Sequence, residues 1–455
     1  MQEPQVASQD TTPDLITQAK AVLSENDRGG YTVPSEHLYP HQWLWDSCFI
    51  SMGLRHYDIV RAQTEILSLF RGQWSNGMLP NIIFSNDVIY HGDRELWRSK
   101  LNPYSPDHVS TSGITQPPVL AEAIVRVGDK LPLKDRRAWY KMVLPALMAY
   151  HTWLYEDRDP HNEGLVLQIH PWETGSDNTP PWMAAMHDHL MPWWIRAIEK
   201  LRLDSLMTLA RRDTHYVPIK ERYSNIEGLV LYDAQRRLRR KGYNINKILD
   251  HSLFAIEDLM FNSILIRNNE LLRYIAKSIR EELPEELLKN MSLTIKTLEE
   301  LWDPYSNEYY SRDFITHELL KEPSVAALMP LYAGSITKER AEQLVKILEN
   351  KHVFGTKFPV PSVPTNSAWF DPLRYWQGPT WVNTNWLIID GLRRYGFDGQ
   401  ANSLTTKTIE MIESGGLSEY FNPLNGRPLG IKSFSWTAAL YIDLKKVQPK
   451  KAKTN

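Results

Sequence analysis

The chain has 455 residues, 42% of them hydrophobic and 23% charged, enough apolar material for a large buried core and too little bias for bulk disorder. Lys and Arg number 52 against 54 Asp and Glu, a net charge of -2, so no long-range field draws in phosphate backbones or anionic lipid, and neither nucleic acid nor membrane is an expected partner. The single cysteine, Cys48, excludes an internal disulfide framework and a thiolate metal cluster and fits a reducing compartment.

From the N-terminus, Met1 to Pro13 is polar, with neither a basic start nor an apolar run, and no later stretch is continuously apolar over membrane-spanning length. The sequence therefore predicts no signal peptide, no membrane span and a cytoplasmic location. Loops at His41–Ser47, Gln73–Asn81 and Pro171–Trp182 are dense in Trp, Pro, Asn, Gly and carboxylates, a composition that reads as functional. A helical stripe runs from Val143 to Leu154, and Leu165–Ile169 is the clearest alternation suited to a strand. The stretch from about Leu206 to Asn246 is rich in Arg and Lys with little apolar periodicity, and reads as an insertion or lid.

Further helices are predicted over Leu259–Ile279, after Pro284 through Leu288, Met291, Ile295, Leu298 and Trp302, and from a Thr337 cap through Ala341, Leu344 and Leu348. Disordered tails are expected at both ends, the last, Lys446–Asn455, being basic. The pattern predicts a mainly α protein of one domain over 1–455, with the insertion at about 206–246.

Sixteen Trp and 21 Tyr suit a carbohydrate ligand, because aromatic faces stack on sugar C–H faces while N–H and O–H groups bond hydroxyls; they suit a large aromatic core equally. The loop His170–Trp182 holds Glu173 and Asp177 beside Trp172 and Trp182. A carboxyl group against indoles is poorly solvated, which raises its pKa toward that of a general acid; the alternative is an Asx-turn at Asp177. Glu419, in Ser414-Gly-Gly-Leu-Ser-Glu-Tyr-Phe-Asn-Pro423, is a candidate base, and inverting glycoside hydrolysis takes such a pair. A lone Glu beside a turn is otherwise a solvated surface group. Asp46, between Trp45 and Ser47 and near Trp43, could bind sugar hydroxyls, with Gln116 and the Tyr375-Trp376-Gln377 segment as walls. Motifs for a zinc site, a phosphate loop or a serine hydrolase are absent.

Seven ordered blocks resemble glycoside hydrolase family 63, especially its small prokaryotic members that hydrolyse glucosylglycerate and mannosylglycerate. They are Tyr39-Pro-His-Gln-Trp-Leu-Trp-Asp46, Gln73-Trp-Ser-Asn-Gly-Met-Leu-Pro-Asn81, Thr111-Ser-Gly-Ile-Thr-Gln-Pro-Pro118, Trp172-Glu-Thr-Gly-Ser-Asp-Asn178, Tyr375-Trp-Gln-Gly-Pro-Thr-Trp381, Glu419-Tyr-Phe-Asn-Pro423 and Ser435-Trp-Thr-Ala-Ala439. The resemblance implies an all-α (α/α)6 barrel, inversion, and no metal or other cofactor. It puts Asp177 at the general-acid position and Glu419 at the general-base position. Tyr39, Trp43, Trp45, Asp46, Gln116, Trp172, Gly175, Tyr375, Trp376, Gln377 and Trp381 fall on its sugar-site blocks. By analogy with relatives that grip a glycerate carboxylate, Arg211, Arg212 and Tyr216 are candidates for the acceptor end. The expected partner is a small-molecule glycoside, with a homo-oligomer left open. The alternatives are a trehalase-like α-glucosidase, a sugar isomerase or epimerase, and a non-catalytic carbohydrate-binding protein.

Overall fold

The computed structural model describes residues 13–183, 191–206, 208, 211–250, 252 and 254–447. Residues 1–12 and 448–455, which hold most of the two expected tails, lie outside the described residues. Twelve helices build the main body: α1 (Leu15–Glu25), α2 (Leu44–Leu54), α3 (Ile59–Phe70), α4 (Leu120–Gly128), α5 (Leu133–Arg158), α6 (Leu259–Ile279), α7 (Glu285–Leu298), α8 (Pro330–Ala333), α9 (Lys338–Glu349), α10 (Val382–Arg394), α11 (Asp398–Gly415) and α12 (Ser435–Val447). The even-numbered helices contact one another in order, and α12 closes the ring on α2. The odd-numbered helices pack outside them, α1 on α12, α3 on α2 and α4, α5 on α4 and α6, α7 on α6, α9 on α8, and α11 on α10 and α12. Alternating outer and inner helices in a closed ring of six pairs make the (α/α)6 barrel.

Residue pattern decides which ring a helix joins. All eleven residues of α2 are buried, as is α12 from Ser435 to Leu444, and a helix without a wet face must sit inside. Outer α9 buries only the stripe Ala341, Leu344, Val345 and Leu348. Inner helices can also approach closely: a Cβ on Gly53 would lie 2.5 Å from the Cα of Ala439, so α2 and α12 meet there only because the side chain is missing.

Most predicted helices are found, with corrections at their ends. Helix α6 spans the predicted residues, Asp258 capping it by accepting from the Phe261 N–H, and Thr337 caps α9 by accepting from Arg340. Helix α5 starts ten residues before Val143 and runs through Pro145, because buried Trp139 and Tyr140 anchor the turns before the proline. Helix α7 stops at Leu298, and Trp302 pairs with Tyr309 in a two-residue ladder instead. Leu165–Ile169 is not a strand; Gln168 alone bridges Ile256, in a segment whose residues are buried on both sides.

The segment between α5 and α6 carries the insertion. It is more ordered than its sequence suggested, because Asn225–Arg240 forms a helix opened by a Ser224/Glu227 capping box. Its Ile226, Leu229, Val230, Leu231 and Ala234 pack with Trp182, Met183, Met191, Ile195 and Phe254 in a second, smaller core. The basic residues of that helix mask an apolar face that exists only against these partners.

Candidate active site

The N-terminal ends of inner helices converge with the loops before them on one cavity of about 500 Å³. Trp45 and Asp46 open α2, Gln116 precedes α4, Trp381 caps α10 and Trp436 lies in the first turn of α12. Short ladders hold these loops in register: Gln42–Trp43 pairs with Ile82–Ile83, Tyr420–Phe421 with Pro428–Leu429, and Thr380 bridges Phe421.

Asp177 and Glu419, more than two hundred residues apart in the chain, both line this cavity. Their surroundings differ in a way that matters chemically. Asp177 keeps part of its surface on the cavity and receives, among the described residues, one side-chain hydrogen bond, from the neutral Tyr375 hydroxyl at 3.3 Å. Burial pushes its carboxyl group up to about 7, against the opposing pull of Arg222 and Tyr375. Glu419 is 1% exposed. It accepts from the Tyr39 hydroxyl at 2.8 Å, from Arg222 at 3.2 Å and from the Ile431 N–H at 3.1 Å. Burial raises this carboxyl group too, while Arg222, the Ile431 amide and Tyr39 pull it back. Three donors, one of them a guanidinium, stabilise the anion at Glu419; one phenol at Asp177 leaves the acid form competitive.

The Glu419 loop itself needs a glycine. Gly430 has φ +69°, and a Cβ there would lie 2.5 Å from the Glu419 carboxylate, so any side chain would displace it.

Indoles wall the cavity. Trp376 and Trp381 stack in parallel with centroids 3.9 Å apart, Trp381 leans on Tyr420 at 4.5 Å, and Trp45 meets Trp436 edge-on at 5.4 Å. Asp46 is buried and lines the cavity with no side-chain partner among the described residues; burial raises its pKa well above the usual range, with Glu419 and Glu65 adding to the effect. Tyr39, Trp43, Gln116, Trp172, Gly175, Tyr375, Arg211 and Arg212 line the same cavity.

Two of the residues singled out from the sequence are elsewhere. Gln377 is buried behind the wall, where its amide donates to the Asn178 carbonyl at 2.9 Å and to Glu227 at 3.3 Å. Tyr216 is 48% exposed and stacks on His37, outside the cavity lining; its four-residue helix ends at Tyr216 and turns the ring away. Glu173, the other acidic residue of the Asp177 loop, has a structural part: it takes Arg158 at 2.8 Å and the amides of Thr115 and Ile169 at 3.1 and 2.8 Å.

Other residues of the site were not singled out. Arg222 joins Glu419 to Asp213 at 3.2 and 3.3 Å, its guanidinium lying 4.0 Å above the Tyr375 ring. Asp93 holds Arg212 at 2.7 Å and His41 at 2.9 Å. The Ser85 N–H donates to His41 Nδ1 at 3.2 Å, so the other ring nitrogen carries the proton given to Asp93. In sequence Arg222 is one arginine among many in a basic stretch, and only its partners distinguish it. Among the described residues no group of three or more His, Cys, Asp and Glu is placed to hold a metal ion, and no helix is long and apolar enough to cross a membrane.

Comparison with known proteins agrees with this geometry. The family model for the mannosylglycerate hydrolase MGH1-like glycoside hydrolase domain matches residues 39–437. A mannosylglycerate hydrolase from Thermus thermophilus is 37% identical over 93% of this chain and 99% of its own. A glucosylglycerate hydrolase from Mycolicibacterium hassiacum is 30% identical over 95% of this chain and 98% of its own. A crystal structure of a family 63 mannosylglycerate hydrolase, also from Thermus thermophilus and in complex with Tris and D-glycerate, superposes with a TM-score of 0.84 at 35% identity, covering 95% of this chain and 100% of that one. The matched residues begin at Tyr39 and end one residue past Trp436, spanning every cavity wall from the Tyr39 loop to the start of α12; the chain belongs to glycoside hydrolase family 63, in its mannosylglycerate hydrolase MGH1-like group.

Proposed function

We propose that the protein hydrolyses an α-linked hexosyl glycerate, glucosylglycerate or mannosylglycerate, to free hexose and glycerate with inversion at the anomeric carbon. The observation that carries this reading is the unequal pair in one indole-walled cavity: Asp177, raised to about 7, and Glu419, held by three donors including Arg222. Asp177 gives its proton to the departing glycosidic oxygen. Glu419 takes a proton from the water that attacks the opposite face of the sugar. As the C–O bond breaks, the acceptor leaves as an alcohol, and the enzyme recovers when Asp177 regains and Glu419 releases a proton. The indoles exclude bulk water and offer apolar faces to the sugar ring, while Asp46 turns its carboxyl group toward the sugar hydroxyls.

The acceptor end is supported by charge. Arg212 holds Asp93 through Nη2 and lines the cavity with Arg211. A carboxylate brought into such a site requires charge-assisted donors, and Arg212, 38% exposed at its side chain, is the more accessible of the two guanidiniums; Arg211 is spent on Asp213, the Tyr223 carbonyl and Asn225. The relatives named for mannosylglycerate and glucosylglycerate support glycerate as the acceptor. Disaccharide hydrolysis is favoured less, because a periplasmic trehalase matches over only 25% of this chain where the hydrolases named for glycerate glycosides match over 93% and 95%.

Proton NMR of the first product tests the reaction: an α-linked substrate must release the β-anomer before mutarotation. Initial release of the α-anomer refutes inversion.

A further inference from the structure

The insertion between α5 and α6 looks from its sequence like a lid over the cavity. Its segment 221–227 is instead clamped into the wall. Glu221, Arg222, Asn225 and Glu227 are all buried. Glu227 takes Arg374 at 2.5 Å and Gln377 at 3.3 Å, and so holds the loop that carries Tyr375. Glu221 holds the opposite side: its carboxylate accepts from the Gly430 N–H at 3.1 Å and from Arg427 at 3.1 Å. Its backbone carbonyl accepts both the Tyr420 hydroxyl and, at 3.3 Å, the Tyr375 N–H.

Glu221 therefore stands where three loops cross. Tyr375, which donates to Asp177, has φ +40°, a conformation costly for a residue with a side chain unless its surroundings hold it. Gly430 precedes Ile431, whose amide donates to Glu419. The next residue after Glu221 is Arg222, bonded to Glu419 itself. Moving Glu221 would shift a partner of the acid and two partners of the base together.

Resting on the two-carboxylate reading above, we infer that Glu221 is a positioning residue of the catalytic centre, which fastens Arg222, Gly430 and Tyr375 and so sets the protonation of Asp177 and Glu419 without touching substrate. The barrel and the 221–227 strap then work as one catalytic unit. Among the described residues, the groups facing Asp177 are Arg222, Tyr375, Tyr223 and Glu419; those facing Glu419 are Arg222, Tyr39, Tyr375, Tyr420, Asp46 and Asp177. Of these, Arg222 is the only cation, and it favours the ionised form of both carboxyl groups. Loosening it raises both, so both limbs of the pH profile move to higher pH.

The test is Glu221→Ala in the full-length protein, with kcat and KM measured across pH. The expected result is a kcat lower by roughly ten- to hundredfold, as displacement of reacting groups produces, with KM within about threefold and both limbs displaced upward. Glu221→Gln keeps an acceptor for the Gly430 amide and should recover most of the lost kcat. If Glu221→Ala does not fold, Arg427→Ala loosens the same carboxylate from the exposed side, and a smaller upward displacement is expected. A pH profile superposable on that of the parent in whichever of these variants folds, even with lowered thermal stability, overturns the inference. Asp177→Asn and Glu419→Gln serve as separate controls: if they keep full activity the two-carboxylate reading itself is wrong, whereas inactive controls beside an unmoved Glu221→Ala profile reject only the role of Glu221.

Discussion

Replacing Tyr375 with Phe removes the one side-chain donor to Asp177 among the described residues while keeping the ring that faces Arg222, Trp381 and Tyr420. At 3.3 Å the bond is longer than the favoured range, so its differential support for the carboxylate is set at about 1 kcal/mol, below the usual ~1.5–3 kcal/mol for a charged acceptor. At 1.36 kcal/mol per pKa unit, that is a rise of roughly 0.7 units. The sign is fixed by the chemistry: the hydroxyl stabilises the ionised form, so its loss raises Asp177 further above about 7. A general acid works while protonated, and activity is lost as pH rises through its pKa. The descending limb of kcat should thus move up by that amount, and at pH 8 the fraction of acid form relative to its own plateau should increase roughly fourfold. The assay is kcat under saturating substrate from about pH 5 to 9, the plateau of each enzyme being its own reference. A descending limb that stays in place, or moves to lower pH, refutes the assignment of that limb to Asp177.

Two further outcomes are expected. Arg212→Gln should raise KM at least tenfold for a glycoside with a carboxylate acceptor and change it little for the methyl ester, in keeping with the loss of a charge-assisted contact; equal effects on both substrates would remove Arg212 from carboxylate binding. Asp443→Asn, at the end of the barrel away from the cavity, should destabilise by about 3–5 kcal/mol, because it breaks a buried ion pair with Arg55. Asp443 there accepts from Arg55 and His56 at 2.7 Å and from the Trp386 indole at 2.9 Å. Those partners hold its carboxyl group far below the usual range despite burial. The stability it contributes is present above the unfolded-state pKa and fades as pH falls toward the folded one. Calorimetric melting at neutral and acid pH measures both effects, and a melting temperature unchanged by the substitution would contradict them.

Much of this protein could be read before any coordinates. Local composition points to the cavity in part: of the three loops dense in Trp, Gly, Pro, Asn and carboxylates, His41–Ser47 and Pro171–Trp182 line it, whereas no residue of Gln73–Asn81 does. Helical periodicity places α6 and α9 because an amphipathic stripe and an N-cap are properties of neighbouring residues. The blocks from Tyr39 to Trp436 supply the family, and through it the expectation that Asp177 and Glu419 are its acid and base. The sequence reading failed where a residue's state depends on distant partners. Gln377 and Trp376 are adjacent in one aromatic block, yet one indole stacks on the cavity wall while the amide turns back to Asn178 and Glu227. Tyr216 and Arg222 share one basic stretch; the first faces solvent and the second binds Glu419.

What the chain determines by itself is therefore the set of helices, the loops that carry reactive groups and the family they come from, because each is written in residues close together. Only the closed ring of inner helices decides that Asp177 and Glu419 share one cavity, which donors each of them receives, and that Glu221, unremarkable in its basic surroundings, stands where the Tyr375, Tyr420 and Gly430 loops meet. The physical reason is that desolvation and charge pairing act through space: a carboxyl group's proton affinity is set by the atoms packed around it, and here those atoms come from loops up to several hundred residues apart.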